Sequence, residues 1–148
     1  MRKINNIVIH CTATSQKSTV SSICRYWNEQ LGWRSPGYHF LIEANGKIHN
    51  LQSIDKASNG VKGHNADSIH ISYIGGIDDK CNAIDNRTTE QIKSMLKIVK
   101  EMQRLFPKAE IKGHRDFPNV KKECPCFDVK LWWKGNIGDL DPKTEKRV

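Results

Sequence analysis

Asn6-Ile7-Val8-Ile9-His10-Cys11 is the segment whose reading decides the fold. It is short, β-branched and almost uniformly apolar, which suits a strand buried on both faces at the centre of a sheet. Working outward, Thr12 to Thr19 is a polar loop. Val20, Ile23, Cys24, Trp27 and Leu31 then recur at helical spacing, so the pattern predicts an amphipathic helix over Val20 to Leu31, stopped by Gly32. Tyr38 to Glu43 and Lys47 to Gln52 flank Asn45-Gly46, a strong hairpin signal. Ser68 to Ile74 reads as another strand, ended by Gly75-Gly76. Thr88 and Gln91 form a capping box that opens a second helix, with Ile92, Met95, Leu96, Val99, Met102 and Leu105 as its apolar stripe and Pro107 as its stop. Glu110 to Gly113 is a short strand, and Asp128 to Lys134 a final helical turn or two carrying Trp132 and Trp133. Strands mixed with helices predict a single α/β domain, a central mixed β-sheet with helices packed on its faces. That domain is expected over residues 1–137, with a polar C-terminal tail over 138–148.

The bulk properties narrow the class. A chain of 148 residues can bury a genuine core in one domain. No run of 18 apolar residues exists, so no membrane insertion is expected. The start, Met1-Arg2-Lys3, has a suitable charge for a secretion signal. However, the apolar run behind it is short, is broken by Asn5 and Asn6, and lacks a small-residue cleavage site. The reading is a chain made in the cytoplasm without a signal peptide. The net charge of +8 draws it toward polyanions, but the lysines are spread rather than blocked, which argues against nucleic acid. Five cysteines without a C-x-x-C pair read as reduced thiols, with Cys11 and Cys24 as small core residues.

Three residues could hold a metal. His10 ends the central strand, His114 follows the strand Glu110 to Gly113, and Cys124 stands in Lys122-Glu123-Cys124-Pro125. Two imidazoles and a thiolate make three protein ligands and leave a fourth position for water, as catalytic zinc requires. Each residue taken alone has an ordinary reading: a core histidine, a charged-loop neighbour of Arg115-Asp116, a buried thiol. The case rests on the three together, and composition does not bring them together.

A set of segments carries a more specific signal: Ile9-His10-Cys11-Thr12-Ala13-Thr14, Gly37-Tyr38-His39-Phe40, Ser68-Ile69 through Gly75-Gly76-Ile77-Asp78, Gly113-His114-Arg115-Asp116 and Cys124-Pro125-Cys126-Phe127-Asp128. In this order the chain resembles the zinc-dependent N-acetylmuramoyl-L-alanine amidases of the phage-lysozyme and peptidoglycan-recognition-protein family. The resemblance covers residues 4 to about 134 and is strongest to compact single-domain phage endolysins. It implies one Zn2+ per chain on His10, His114 and Cys124. It also implies that Tyr38 and Lys122 are active-site residues, and that the amide between the lactyl group of N-acetylmuramic acid and L-alanine of the stem peptide is cleaved. Lys122 offers a charge and Tyr38 a hydroxyl donor, so both are assigned to oxyanion stabilisation and water orientation; the proton donor to the leaving amine stays open between them. The implied partner is peptidoglycan, the implied site of action the bacterial cell wall, and the expected state a monomer. The alternative is a module that binds muropeptides without cutting them; the retained ligand positions and Lys122 argue for the enzyme.

The chain departs from the family's pattern at several points. Cys126 stands where a serine is common, and Cys124 is preferred as ligand because the motif's cysteine precedes the proline. Ala57-Ser58-Asn59-Gly60 lacks the histidine that often lines the groove, and His64 is the candidate replacement. His70 occupies a position usually held by glycine, is expected to face the helix layer, and is given no chemistry. His39 is read as structural and His49 as exposed on the hairpin. Trp27 is assigned to the core and Trp33 to the groove wall.

Overall fold

The computed structural model describes residues 2–136. Its elements run β1 (Asn6–Cys11), α1 (Val20–Arg25), β2 (Phe40–Ile42), β3 (Ile48–Asn50), β4 (Ser68–Tyr73), α2 (Thr89–Leu105), β5 (Glu110–Gly113) and α3 (Val129–Asn136). The five strands form one mixed sheet in the order β3-β2-β4-β1-β5. β1 lies parallel to both β4 and β5, β2 is parallel to β4, and only the β2–β3 hairpin is antiparallel. The uniformly apolar β1 is central, as its composition demands. The predicted tail, 138–148, lies outside the described residues.

Strand alternation divides the core between two faces. Ile7, Ile9, Ile42, Ile69, Ile71, Tyr73 and Ile111 point to one face and pack under α2 and α3, against Met95, Ile98, Val99, Met102 and Trp133. Val8, Leu41 and Ile74 point to the other, where Ile23 and Trp27 on one side and Val61 and Phe117 on the other cover them. Burial of each of these large side chains contributes roughly 1.5–3 kcal/mol. The capping box at Thr88 forms as predicted, Thr88 Oγ1 accepting from Gln91 N–H at 3.0 Å and Gln91 Oε1 accepting from Thr88 N–H at 3.0 Å. The stripe of α2 differs at its end. Leu105 is exposed and Phe106 is buried in its place, because a step of four from Met102 stays on the apolar face while a step of three drifts off it.

The first helix also departs from expectation. After α1 the chain continues as a π-helical turn over Tyr26–Gln30, with Leu31 N–H reaching Tyr26 O at 3.2 Å. The extra residue per turn keeps Trp27 buried but rotates Leu31 and Tyr26 outward. In the hairpin, Gly46 adopts φ +88°, and a side chain there would meet the Glu90 backbone at 3.0 Å, so glycine serves both the turn and the packing of α2. His49 is half-buried and pairs with Glu43 at 2.9 Å rather than standing free.

Arg2, which the sequence presents only as charge, is a structural latch. Its guanidinium donates to the carbonyls of Ile54, Asn65, Ala66 and Ser68, tying the long segment between β3 and β4 to the start of the chain. His39 is structural, as predicted. Its Nδ1 accepts from His70 N–H at 3.0 Å and its Nε2 lies 2.7 Å from Lys56 O. Burial, with Arg2 adding to it, pushes the His39 imidazole down to about 4. An unfolded histidine titrates near 6.5. Between these values the unfolded state binds the proton and the folded state does not, so stability is full above about pH 6.5 and falls as the pH drops toward 4. The His39 contribution is on the order of 3 kcal/mol. In urea titrations of the metal-free chain, the stability advantage of the parent over His39→Gln is therefore expected to shrink between pH 7 and 4. An advantage that stays constant with pH would contradict this account.

Candidate active site

Register brings the first two candidates together. β1 and β5 run parallel with Ile9 opposite Gly113, so the next residue of each strand, His10 and His114, leaves the sheet at the same carboxyl edge. Their rings lie 4.9 Å apart at 62°. Cys124 comes from the loop before α3, which is held by Arg115 N–H donating to Cys124 O at 3.0 Å. Its sulfur accepts from Cys11 N–H at 3.2 Å and lies 4.0 Å from His10 Nδ1. The donor atoms of His10, His114 and Cys124 all fall within 4.8 Å of one another. Cys126 is turned away, its sulfur 3.9 Å from Cys11 Sγ and 3.4 Å from Gly76 O.

Electrostatics suits this donor set. Burial drives the His10 imidazole well below its usual range, with His70, His114 and Lys122 adding to the effect. Burial, followed by the Lys122 charge, lowers His114 to about 4. Both rings are neutral at pH 7, the form that ligates metal. Two imidazoles and one thiol without a carboxylate are a borderline-soft set that fits zinc rather than magnesium or calcium.

A cleft of about 190 Å³ opens over the cluster, walled by Trp27, Trp33, Tyr38, Asn59, Gly60 and Lys122. It continues past Trp33 and Gly60 into a lobe of about 540 Å³ lined by Lys62, Asn119, Lys121 and Lys122. Another lobe of about 650 Å³ runs past Trp33 along Thr14, Ser22, Tyr26 and Leu31, which accounts for the two apolar side chains that the π-helical turn exposes. Tyr38 stands with its ring 5.0 Å from that of His10, and its hydroxyl donates to Cys11 O at 3.2 Å. Burial raises the Tyr38 hydroxyl above its usual range, with Cys124 adding to the effect, so it remains a donor.

His64 packs its ring 4.6 Å from that of Phe117, and its neighbours Lys62 and Asn65 line the groove. One expectation is corrected by the structure: His70 does not face the helix layer. It shares the face of Val8 and His10, and its Nδ1 lies 2.8 Å from His10 Nε2. The alternation Ile69-His70-Ile71-Ser72-Tyr73 carries the signal for this, since three large apolar side chains claim the helix face and leave the other to His70 and Ser72.

An α/β sheet that gathers two neutral imidazoles and a thiol at the base of a groove has the donor set that a metal-dependent hydrolase needs. The sequence model of the N-acetylmuramoyl-L-alanine amidase family matches residues 1–127, and the chain belongs to that family. It is 34% identical over 132 residues to the endolysin of Escherichia phage T7, covering 88% of this chain and 85% of that protein. It is 32% identical over 136 residues to the endolysin of Klebsiella phage KP32, covering 91% and 89%. Among solved structures, the N-acetylmuramoyl-L-alanine amidase LysC from Clostridium intestinale shares the fold with a TM-score of 0.76, covering 92% of this chain and 86% of that one at 23% identity. The activity of the chain is accordingly hydrolysis of the peptidoglycan amide from which the family takes its name.

Proposed function

We propose that this amidase is a zinc enzyme of the endolysin type, in which His10, His114 and Cys124 hold one ion, Lys122 and Tyr38 serve the scissile amide, and Trp33 forms the groove wall. The convergence of the three donor atoms within 4.8 Å carries the reading. When bound, zinc supplies an acidified water and a Lewis-acid contact for the amide carbonyl. The chain's own residues do the rest. Lys122 projects a cation into the cleft beside His114, where negative charge on the former carbonyl oxygen develops. Tyr38 keeps its hydroxyl proton and turns it from Cys11 O toward substrate. Trp33 forms the ridge between the two lobes. Lys62, Lys121 and Lys122 give one lobe a positive lining suited to the carboxylates of a stem peptide, which leaves the lobe beyond Trp33 for the glycan. The enzyme acts as a monomer on the bacterial cell wall, without inserting into the membrane; no helix among the described residues is long and apolar enough to cross one.

Metal analysis and chelation test this reading. The purified chain is expected to hold about one zinc. Treatment with a strong chelator should abolish release of new L-alanine amino termini from peptidoglycan, and added zinc should restore it. Undiminished release from the metal-stripped chain would remove the ion from the reaction. Wall binding without release by the zinc-loaded chain would favour the non-catalytic module instead.

A further inference from the structure

A polar relay on the groove side of β4 ends on the candidate ligand His10, and its protons can be assigned from one backbone group. Val61 N–H can only donate, and it meets Asn65 Oδ1 at 2.8 Å, which identifies that atom as the amide oxygen. The same oxygen lies 2.8 Å from His70 Nε2, so Nε2 carries the proton. His70 is fully buried and both of its side-chain partners are uncharged, so a second proton would place a cation there without a counter-charge. Its Nδ1 is therefore bare and accepts from His10 Nε2 at 2.8 Å. That leaves His10 Nδ1 as the lone-pair nitrogen, on the side where Cys124 Sγ lies 4.0 Å away. A backbone amide in a groove loop thus selects the tautomer of a histidine at the end of β1.

The relay needs an empty space. A side-chain carbon built on Gly60 would fall 2.3 Å from His70 Nδ1 and 2.4 Å from its Cγ, closer than any real contact. The imidazole of His70 occupies the volume that a side chain at position 60 would take. Displacing it would break the bonds to His10 and Asn65 together.

We propose that His70 is a positioning residue for metal capture: it holds His10 in the tautomer and ring orientation that present Nδ1 to the ion, and Gly60 is the vacancy that admits it. This rests on the reading of His10 as a ligand. Partners of this kind orient ligating imidazoles, and their loss weakens metal binding by roughly 10–100-fold.

The test uses the full chain, with zinc affinity measured by competition against a chromophoric chelator and the site geometry read from the cobalt(II) absorption spectrum. His70→Leu keeps the volume without an acceptor; His70→Asn keeps an acceptor near the position of Nδ1. His70→Leu is expected to lose zinc affinity by about 10–100-fold and to alter the cobalt bands. His70→Asn should stay close to the parent in both. Gly60→Ala should resemble His70→Leu although it removes no polar group, and adding it to His70→Leu should lower zinc affinity little further, since no acceptor for His10 is left there to displace. Circular dichroism of each metal-free variant checks the fold, and if His70→Leu does not fold, Gly60→Ala and His70→Asn decide. Parental affinity and an unchanged cobalt spectrum in His70→Leu or Gly60→Ala would overturn the proposal, as would His70→Asn binding as weakly as His70→Leu. A parent chain that takes up neither zinc nor cobalt would overturn the ligand assignment itself, a separate outcome.

Discussion

Cys124→Ser is expected to reduce amide hydrolysis to below about 1% of the parent and to remove most of the bound metal, because a neutral hydroxyl is a poor donor where a thiolate is needed. The donor set would fall to two imidazoles. The Cys11 N–H that now meets the sulfur at 3.2 Å would face a shorter side chain. Cys126→Ser is the matched control. Its sulfur sits against Cys11 and Gly76 O, and burial with the neighbouring Cys11 pushes it up to about 12, so it is a protonated, packed thiol. That variant should keep one metal per chain and most of the activity. Zinc content and release of L-alanine amino termini, measured on both, decide the matter. A Cys126→Ser chain that loses its metal, or a Cys124→Ser chain that retains full turnover, would reverse the assignment.

Lys122→Ala should lower turnover by about 10²–10³-fold with zinc retained, the scale of losing one donor aimed at a developing oxyanion. Lys122 is exposed on the groove rim and contributes no buried packing, so the variant should melt with the parent. The split between kinetic constants is informative. A loss confined to KM would make Lys122 a substrate-binding cation, whereas an equal loss in kcat and kcat/KM marks a contact made only in the transition state. Because the Lys122 charge also depresses His114, removing it should let that imidazole titrate closer to its ordinary range in the metal-free chain. Full activity in Lys122→Ala would exclude it from the chemistry.

The parts of this molecule that are legible in the sequence are those written in local patterns. Asn6–Cys11 announces a central strand by lacking any polar face, the Thr88–Gln91 box marks the start of α2 to the residue, and Asn45-Gly46 marks the hairpin. Departures cluster where the local period changes. The π-helical turn at Tyr26–Gln30 inserts a residue that the 3.6-residue pattern does not anticipate, so helical spacing puts Leu31 inside and the structure puts it outside. Strand order and register are not legible, since nothing near residue 9 reveals that Gly113 will lie beside it. The three-donor cluster is therefore named by motif resemblance, and spacing along the chain alone does not assemble it. His70 misleads for a different reason. Its departure from the family's glycine draws attention to the residue alone, whereas its meaning lies in its packing directly against Gly60. Arg2 escapes a reading of the sequence because a charge near a chain start carries no pattern, and only the carbonyls converging on it show what it does.

The parallel placement of β1 between β4 and β5 has a consequence for timing. β1 carries His10, and the neighbour that sets His114 beside it, β5, is the strand farthest from it in sequence among the described residues. The sulfur comes from a loop farther along the chain, tied to the exit of β5 by Arg115 N–H donating to Cys124 O. Long-range pairings of this sort form slowly and late. Until β5 pairs with β1, His10 stands without His114 beside it, so the three-donor cluster belongs to the assembled sheet and to no single segment of it.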